Sequence, residues 1–93
     1  MAEAYIIDAV RTPRGVGKPG KGALSHLHPQ HLAATVLKAI KDRNNLETST
    51  VDDIIWSTSS QNGKQGGDMG RMAALAAGYD ITASGTTLDR FCG

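Results

Sequence analysis

The strongest constraint on the fold of this 93-residue chain is the alternation of short β-prone runs with a segment of helical periodicity. Residues 4–10 (AYIIDAV) are mostly apolar and rich in strand formers, which predicts a buried strand interrupted only by Asp8. Residues 53–58 (DIIWST) predict a second strand. Between the two, apolar residues recur at helical spacing over residues 32–40, after Pro29, which suits a first helical turn. These segments predict a β-α-β unit.

The remaining residues extend the same alternation. Met69 to Ala77 predicts a short helix whose small residues allow close backbone approach, with Gly78 at its carboxyl end. Residues 86–88 predict a third strand that leads to Cys92. The order β-α-β-α-β predicts an α/β fold with parallel strands. Because parallel sheets bury both faces and two helices cover too little, we expect residues 1–93 to be part of a larger protein and not a finished domain.

Composition excludes several classes of protein. The chain is 40% hydrophobic and 20% charged, as globular proteins are, and its net charge of +1 predicts no nucleic-acid or membrane partner. Its one cysteine forms no internal disulfide, and its Cys and His spacing predicts no metal site. Because no secretory signal or membrane-spanning run is visible, we expect a cytoplasmic protein.

The loop from Arg11 to Leu27 contains the spacing G-x-G-x-x-G at Gly15, Gly17 and Gly20. In dinucleotide-binding folds this motif opens a helix whose amino terminus holds the pyrophosphate. Here four residues separate the predicted strand from the first glycine, and Pro19 prevents a helix from opening there. We therefore interpret the motif as a flexible surface or interface loop.

Three histidines, His26, His28 and His31, lie close together in sequence. No acidic residue or cysteine lies near them, and they straddle the predicted start of the first helix. We interpret them as polar residues around a helix start and not as metal ligands.

Cys92 is the candidate for covalent chemistry. A lone cysteine is commonly a small buried hydrophobe. Cys92, however, directly follows a predicted strand and precedes Gly93, where a following helix would place its amino terminus on the sulfur. Backbone N–H groups there stabilise a thiolate and bind a developing oxyanion. From these residues alone, a nucleophile and a structural cysteine remain equally open.

Three segments together resemble one family, the thiolases. Residues 6–15 (IIDAVRTPRG) are similar to the thiolase start, residues 66–78 (GGDMGRMAALAAG) to its Gly-Gln-Asn-x-x-Arg stretch, and residues 86–93 (TTLDRFCG) to the strand and turn that deliver its nucleophilic cysteine. The order and spacing of the segments also fit. Asp68 and Met69 depart from the pattern, since many thiolases carry Asn and Pro there.

The resemblance implies the amino-terminal part of a thiolase-like layered αβαβα fold and acyl transfer between 3-ketoacyl-CoA, such as acetoacetyl-CoA, and coenzyme A. Cys92 would be the acyl-accepting nucleophile, with coenzyme A thioesters as substrates and no resident cofactor. The family also uses a His, an Asn-bound water and a second Cys, which the resemblance places beyond Gly93. We therefore expect residues 1–93 alone to be inactive. The family forms homodimers or homotetramers, and residues 65–71 resemble a region near its subunit contacts.

Two other functions remain open at this stage. The chain resembles, less closely, other condensing enzymes of the same superfamily, the ketoacyl synthases and hydroxymethylglutaryl-CoA synthases. A non-catalytic α/β interaction fragment is the second alternative.

Overall fold

The computed structural model describes residues 2–92. Over this range the regular elements are helix α1 (Pro29–Arg43), strand β1 (Asp53–Thr58), helix α2 (Met69–Ala76) and strand β2 (Ser84–Asp89), with 3₁₀ turns at Thr48–Thr50 and Gly63–Gln65. The two strands pair in parallel, Asp53 opposite Ser84 and Thr58 opposite Asp89. The predicted α/β class and the parallel pairing are confirmed.

Helix α1 begins and ends where its sequence signals place it. The Nδ1 atom of His28, the N-cap residue, accepts a hydrogen bond from the backbone N–H of Gln30 over 3.0 Å. Asn44 caps the carboxyl end, and Asn45 adopts a positive φ of 47°, a conformation that Asn tolerates better than most residues. The predicted start at Pro29 is therefore confirmed, and the helix ends directly before these two asparagines.

Helix α2 lies directly on the sheet because glycine and alanine line the contact. A Cβ atom on Gly70 would lie 2.9 Å from the Cβ of Trp56 on β1. A Cβ atom on Gly85 of β2 would lie 2.8 Å from the backbone nitrogen of Arg71. Ala73 and Ala74 are fully buried between these elements. The predicted close backbone approach through small residues is confirmed.

The core lies between the two helices and the inner face of the sheet. Its buried members are Ala33, Leu37, Ile54, Met69, Ala73, Ala74, Ala77, Tyr79 and Ala83. The opposite face of the sheet carries the exposed side chains of Ile55 and Leu88. Parallel strands are normally covered on both faces. In the part of the chain that the structure describes, one face stays open, as the short list of predicted elements led us to expect.

The predicted first strand is wrong. Residues 4–10 form no strand, and Ile6 and Ile7 are 93% and 82% exposed. The segment is instead held at Asp8, whose carboxylate accepts a hydrogen bond from Asn44 Nδ2 over 2.9 Å and pairs with Arg43 over 3.2 Å. These contacts bind it to the end of α1. A β-prone run becomes a strand only where a neighbouring strand supplies backbone partners.

The predicted third strand, residues 86–88, is longer than expected and runs from Ser84 to Asp89. Pairing with β1 along six residues accounts for the extension, since each added residue gains a backbone partner. Within residues 2–92, neither helix combines the length and apolar composition that crossing a bilayer requires.

Candidate active site

The candidate site lies at the carboxyl edge of the sheet. Because β1 and β2 are parallel and in register, Thr58 and Asp89 end side by side at this edge. Two loops leave from there, one leading from β1 to α2 and one leading from β2 to Cys92. Carboxyl ends of parallel strands are the usual place for functional residues in α/β proteins.

Cys92 lies in a turn three residues beyond the end of β2, and its thiol is free and exposed. This placement directly after a strand is the one that the sequence predicted. Both interpretations of the lone cysteine, nucleophile and structural residue, place it after this strand. Gly93, where the sequence analysis expects a helix to begin, lies outside the described residues.

Two hydrogen bonds join the segment before Cys92 to β1 and the loop that follows β1. The backbone N–H of Arg90 donates to the carbonyl of Thr58 over 2.7 Å, which continues the pairing past the last residue of β2. The side-chain Nε2 of Gln61 donates to Oδ1 of Asp89 over 2.8 Å. The segment before Cys92 is therefore hydrogen-bonded to the end of β1 through its backbone and to the loop after β1 through the side chain of Asp89.

The loop from β1 to α2 is itself closed by hydrogen bonds. Gln65 Nε2 donates to the backbone carbonyl of Ser60 over 2.5 Å and lies 3.1 Å from its hydroxyl. Asp68 is the N-cap of α2 and accepts from the backbone N–H of Arg71 over 3.2 Å. Arg71 in turn donates through Nη1 to the carbonyl of Ala83 over 2.6 Å, which joins α2 to the start of β2.

A groove of about 280 Å³ opens beside this edge, between α1 and β1. Its walls are mainly apolar, and its lining residues are Thr12, Pro29, Leu32, Ala33, Val36, Trp56, Thr58, Ser59, Gln65 and Met69. Within residues 2–92, the hydroxyl of Thr58 is buried without a hydrogen-bond partner. None of the residues that line the groove has an ionisable side chain.

The glycine-rich loop serves turn geometry. The backbone N–H groups of Lys21 and Gly22 both donate to the carbonyl of Lys18, and Gly20 has a φ of +75°. A Cβ atom on Gly22 would lie 2.0 Å from the carbonyl oxygen of Val16. No helix opens until Pro29. The described residues of this loop form turns, and the G-x-G-x-x-G spacing does not open a helix there.

The structure does not bring the three histidines together into a ligand set. His28 caps α1, as polar residues at a helix start do. Over residues 2–92 no group of three or more His, Cys, Asp or Glu side chains is arranged to hold a metal ion.

Carboxylates with a lowered pKa lie away from Cys92. Hydrogen bonds from Asn44 and from the backbone of Ala9 lower the pKa of Asp8, and Arg43 adds to the effect. Hydrogen bonds from the side chain and backbone of Thr82 lower the pKa of Asp80. Asp8 lies in the amino-terminal segment and Asp80 lies before β2, so neither belongs to the two loops that leave the carboxyl edge of the sheet.

Gln61 and Asp89 were not singled out from the sequence, and Arg71 was noted only as part of the Gly-Gln-Asn-x-x-Arg stretch. The contacts of these residues join distant segments, 28 residues apart for Gln61 and Asp89 and 12 for Arg71 and Ala83. The sequence signal for Asp89 was its position directly after a predicted strand.

Comparison with known proteins places these features in a family. The family model described as thiolase, N-terminal domain, matches residues 4–93. The whole chain is 45% identical to a steroid 3-ketoacyl-CoA thiolase of Mycobacterium tuberculosis and covers 22% of it. It is 42% identical to a 3-oxoadipyl-CoA/3-oxo-5,6-dehydrosuberyl-CoA thiolase of Escherichia coli and covers 23% of that protein.

A solved structure is similar as well. The crystal structure of the Bacillus anthracis acetyl-CoA acetyltransferase matches with a TM-score of 0.64 and 35% sequence identity, covering 74% of this chain and 17% of that one. The chain thus spans less than a quarter of the length of the curated relatives described above. Since the family model accounts for nearly every residue, including the strand and turn that lead to Cys92, this chain belongs to the thiolase family and corresponds to part of its amino-terminal domain.

Proposed function

We propose that the protein containing residues 1–93 is an acyltransferase of the thiolase type, which transfers acyl groups between 3-ketoacyl-CoA, such as acetoacetyl-CoA, and coenzyme A. Cys92 is the nucleophile in this proposal. The observation that carries it is the position of a free thiol in the turn three residues beyond β2, at the carboxyl edge of the sheet. The chain belongs to the thiolase family, and this membership is the reason for assigning the nucleophile to that position.

The reaction proceeds through an acyl-cysteine in two steps. In thiolysis the Cys92 thiolate attacks the keto carbon of the substrate, and the bond between that carbon and its α-carbon breaks. The departing acetyl-CoA carbanion takes a proton, and the acyl group remains on sulfur. The thiolate of coenzyme A then attacks the acyl-cysteine, which releases a shortened acyl-CoA and restores the Cys92 thiolate. Claisen condensation is the same sequence reversed.

Residues 1–93 contribute the nucleophile and its support, and they are inactive by themselves in this proposal. The reaction requires groups that accept and donate protons and that bind the oxyanion. The curated relatives are more than four times as long as this chain, which leaves room for those groups elsewhere in the protein.

The cellular setting is also part of the proposal. We place the protein in the cytoplasm, as a homodimer or homotetramer that acts in fatty acid metabolism. The single exposed cysteine suits a reducing compartment, where a free thiol persists. Coenzyme A thioesters are its substrates, and it needs no resident cofactor.

The test is intact-mass spectrometry of the purified full-length protein before and after incubation with acetoacetyl-CoA, with peptide mapping to locate any adduct. We expect a gain of one acetyl group on the peptide that contains Cys92, and none in the Cys92→Ser variant. The 93-residue chain by itself should gain no adduct. An acetylated full-length protein whose label lies on a different residue, or no label at all in a folded wild-type protein, would overturn the assignment.

A further inference from the structure

We propose that Gln61 and Asp89 are a pair of positioning residues that hold the turn carrying Cys92 in place for acyl transfer. The inference rests on the function proposed above and concerns the same site. The proposed role requires no contact between either residue and the thiol. Both act through the backbone that precedes it.

The geometry places this pair between the two loops of the carboxyl edge. Asp89 is the last residue of β2 and precedes Cys92 by three positions. Gln61 lies in the loop that follows β1. Its Nε2 donates to Oδ1 of Asp89 over 2.8 Å, a hydrogen bond with a carboxylate acceptor. Hydrogen bonds to an ionised acceptor are about twice as strong as neutral ones.

Within residues 2–92, two hydrogen bonds join the end of β2 and the residue after it to neighbouring segments. One is the backbone hydrogen bond from Arg90 to Thr58, which continues the strand pairing beyond Asp89. The other is the side-chain hydrogen bond from Gln61 to Asp89. Because Asp89 is the last residue of β2, the second bond acts where the turn to Cys92 begins.

Gln61 can hold Asp89 in place because hydrogen bonds within the loop from β1 to α2 restrain its backbone. Gln65 donates to the backbone carbonyl of Ser60, and a 3₁₀ turn over Gly63–Gln65 shortens the connection to α2. These contacts limit the movement of the backbone at residue 61. A hydrogen bond from a restrained donor fixes its acceptor better than one from a mobile donor.

The expected signature is kinetic. Within residues 2–92 both Gln61 and Asp89 are exposed, and a single hydrogen bond of this kind contributes little to the free energy of unfolding. Small displacements of a reacting group, in contrast, lower a reaction rate steeply, by as much as about a hundredfold for 1 Å. Loss of the pair should therefore lower the rate of acyl transfer without lowering thermal stability.

The test compares single and double variants of the full-length protein with acetoacetyl-CoA and coenzyme A. In Gln61→Glu two carboxylates face each other, and we expect kcat to fall about tenfold with KM within about twofold of wild type. The double variant Gln61→Glu with Asp89→Asn exchanges donor and acceptor, and we expect kcat to return to within about twofold of wild type. Melting temperatures of all variants should agree with wild type.

Asn62→Asp is the matched control. It makes the same amide-to-carboxylate change one residue away, at an exposed side chain that forms no capping hydrogen bond, and it should leave kcat unchanged. A wild-type rate in Gln61→Glu, no rescue in the double variant, or an equal loss in Asn62→Asp would each overturn the inference. Failure of the proposed function is distinguishable, because wild-type protein would then form no acyl group on Cys92 at all.

Discussion

The hydroxyl of Tyr79 donates a hydrogen bond to the backbone carbonyl of Leu37 over 2.7 Å, across 42 residues of sequence. Tyr79 is buried just after α2, and Leu37 lies in the middle of α1. In the next residue, the backbone N–H of Asp80 donates to Oγ1 of the buried Thr48 over 2.9 Å. The first bond joins the segment after α2 to α1, and the second joins it to the 3₁₀ turn at Thr48–Thr50. Together they hold the segment that leads into β2.

Replacing Tyr79 with Phe tests this contact. The change removes one buried hydroxyl and its hydrogen bond while keeping the ring, so we expect the free energy of unfolding to fall by about 1 kcal/mol. Urea unfolding followed by circular dichroism measures it. Tyr5→Phe is the control, because Tyr5 is 78% exposed and its hydroxyl contacts only the nearby Glu3. Equal stability of Tyr79→Phe and wild type would mean that the bond contributes nothing.

Gly85→Ala should separate β2 from α2. The added methyl group would lie 2.8 Å from the backbone nitrogen of Arg71 and 3.0 Å from Oδ1 of Asp68, so backbone has to move. Overpacking of this kind costs about 1 to 3 kcal/mol. Thermal unfolding should show a lower melting temperature, whereas Gly17→Ala, at a site with nothing within 4 Å, should not change it. A Gly85→Ala protein as stable as Gly17→Ala would refute the close contact.

Asp68 should be replaceable by Asn and not by Ala. Its side chain accepts from the N–H of Arg71 at the start of α2, and Asn accepts equally well at an N-cap position. Asp68→Ala should lower the free energy of unfolding by about 1 kcal/mol, and Asp68→Asn should stay close to wild type. Chemical denaturation of the three proteins in parallel gives the comparison. A destabilised Asn variant would show that the negative charge matters and not the acceptor.

Lowering the pH should weaken the contacts by which Asp8 binds the amino-terminal segment to the end of α1. Hydrogen bonds from Asn44 and Ala9, together with Arg43, lower the pKa of Asp8 from its ordinary value of 3.8. A carboxyl group whose folded pKa is lowered stabilises the fold above its unfolded pKa, and this contribution is lost as the pH falls through the folded pKa. Stability measured between neutral pH and about pH 2 should therefore depend less on pH in Asp8→Ala than in wild type.

The exposed Asp52 provides the comparison for this experiment. Asp52→Ala should keep the pH profile of wild type, since the hydrogen bond that Ser84 makes to residue 52 uses the backbone carbonyl. Parallel profiles for wild type and Asp8→Ala would show that Asp8 does not link the segment to α1 through its charge.

Local signals in the sequence were sufficient for three of the elements. The proline and asparagines that bound α1, the β-branched run of β1 and the small residues of α2 act within a few neighbouring positions. β1 was predicted at its observed limits, residues 53–58. The position of Cys92 after a strand was likewise readable, because strand and turn signals adjoin it in the chain.

By itself, then, the sequence determined the types of the two helices and two strands that form, the α/β class and the location of the candidate nucleophile, because each depends on residues that are close along the chain. The tertiary structure decided that residues 4–10 lie exposed beside α1, that Gln61 faces Asp89 and that Tyr79 reaches Leu37. These outcomes join segments 28 to 42 residues apart or depend on a missing strand partner. No local propensity encodes such contacts, since their free energy arises only when the path of the whole chain brings the groups together.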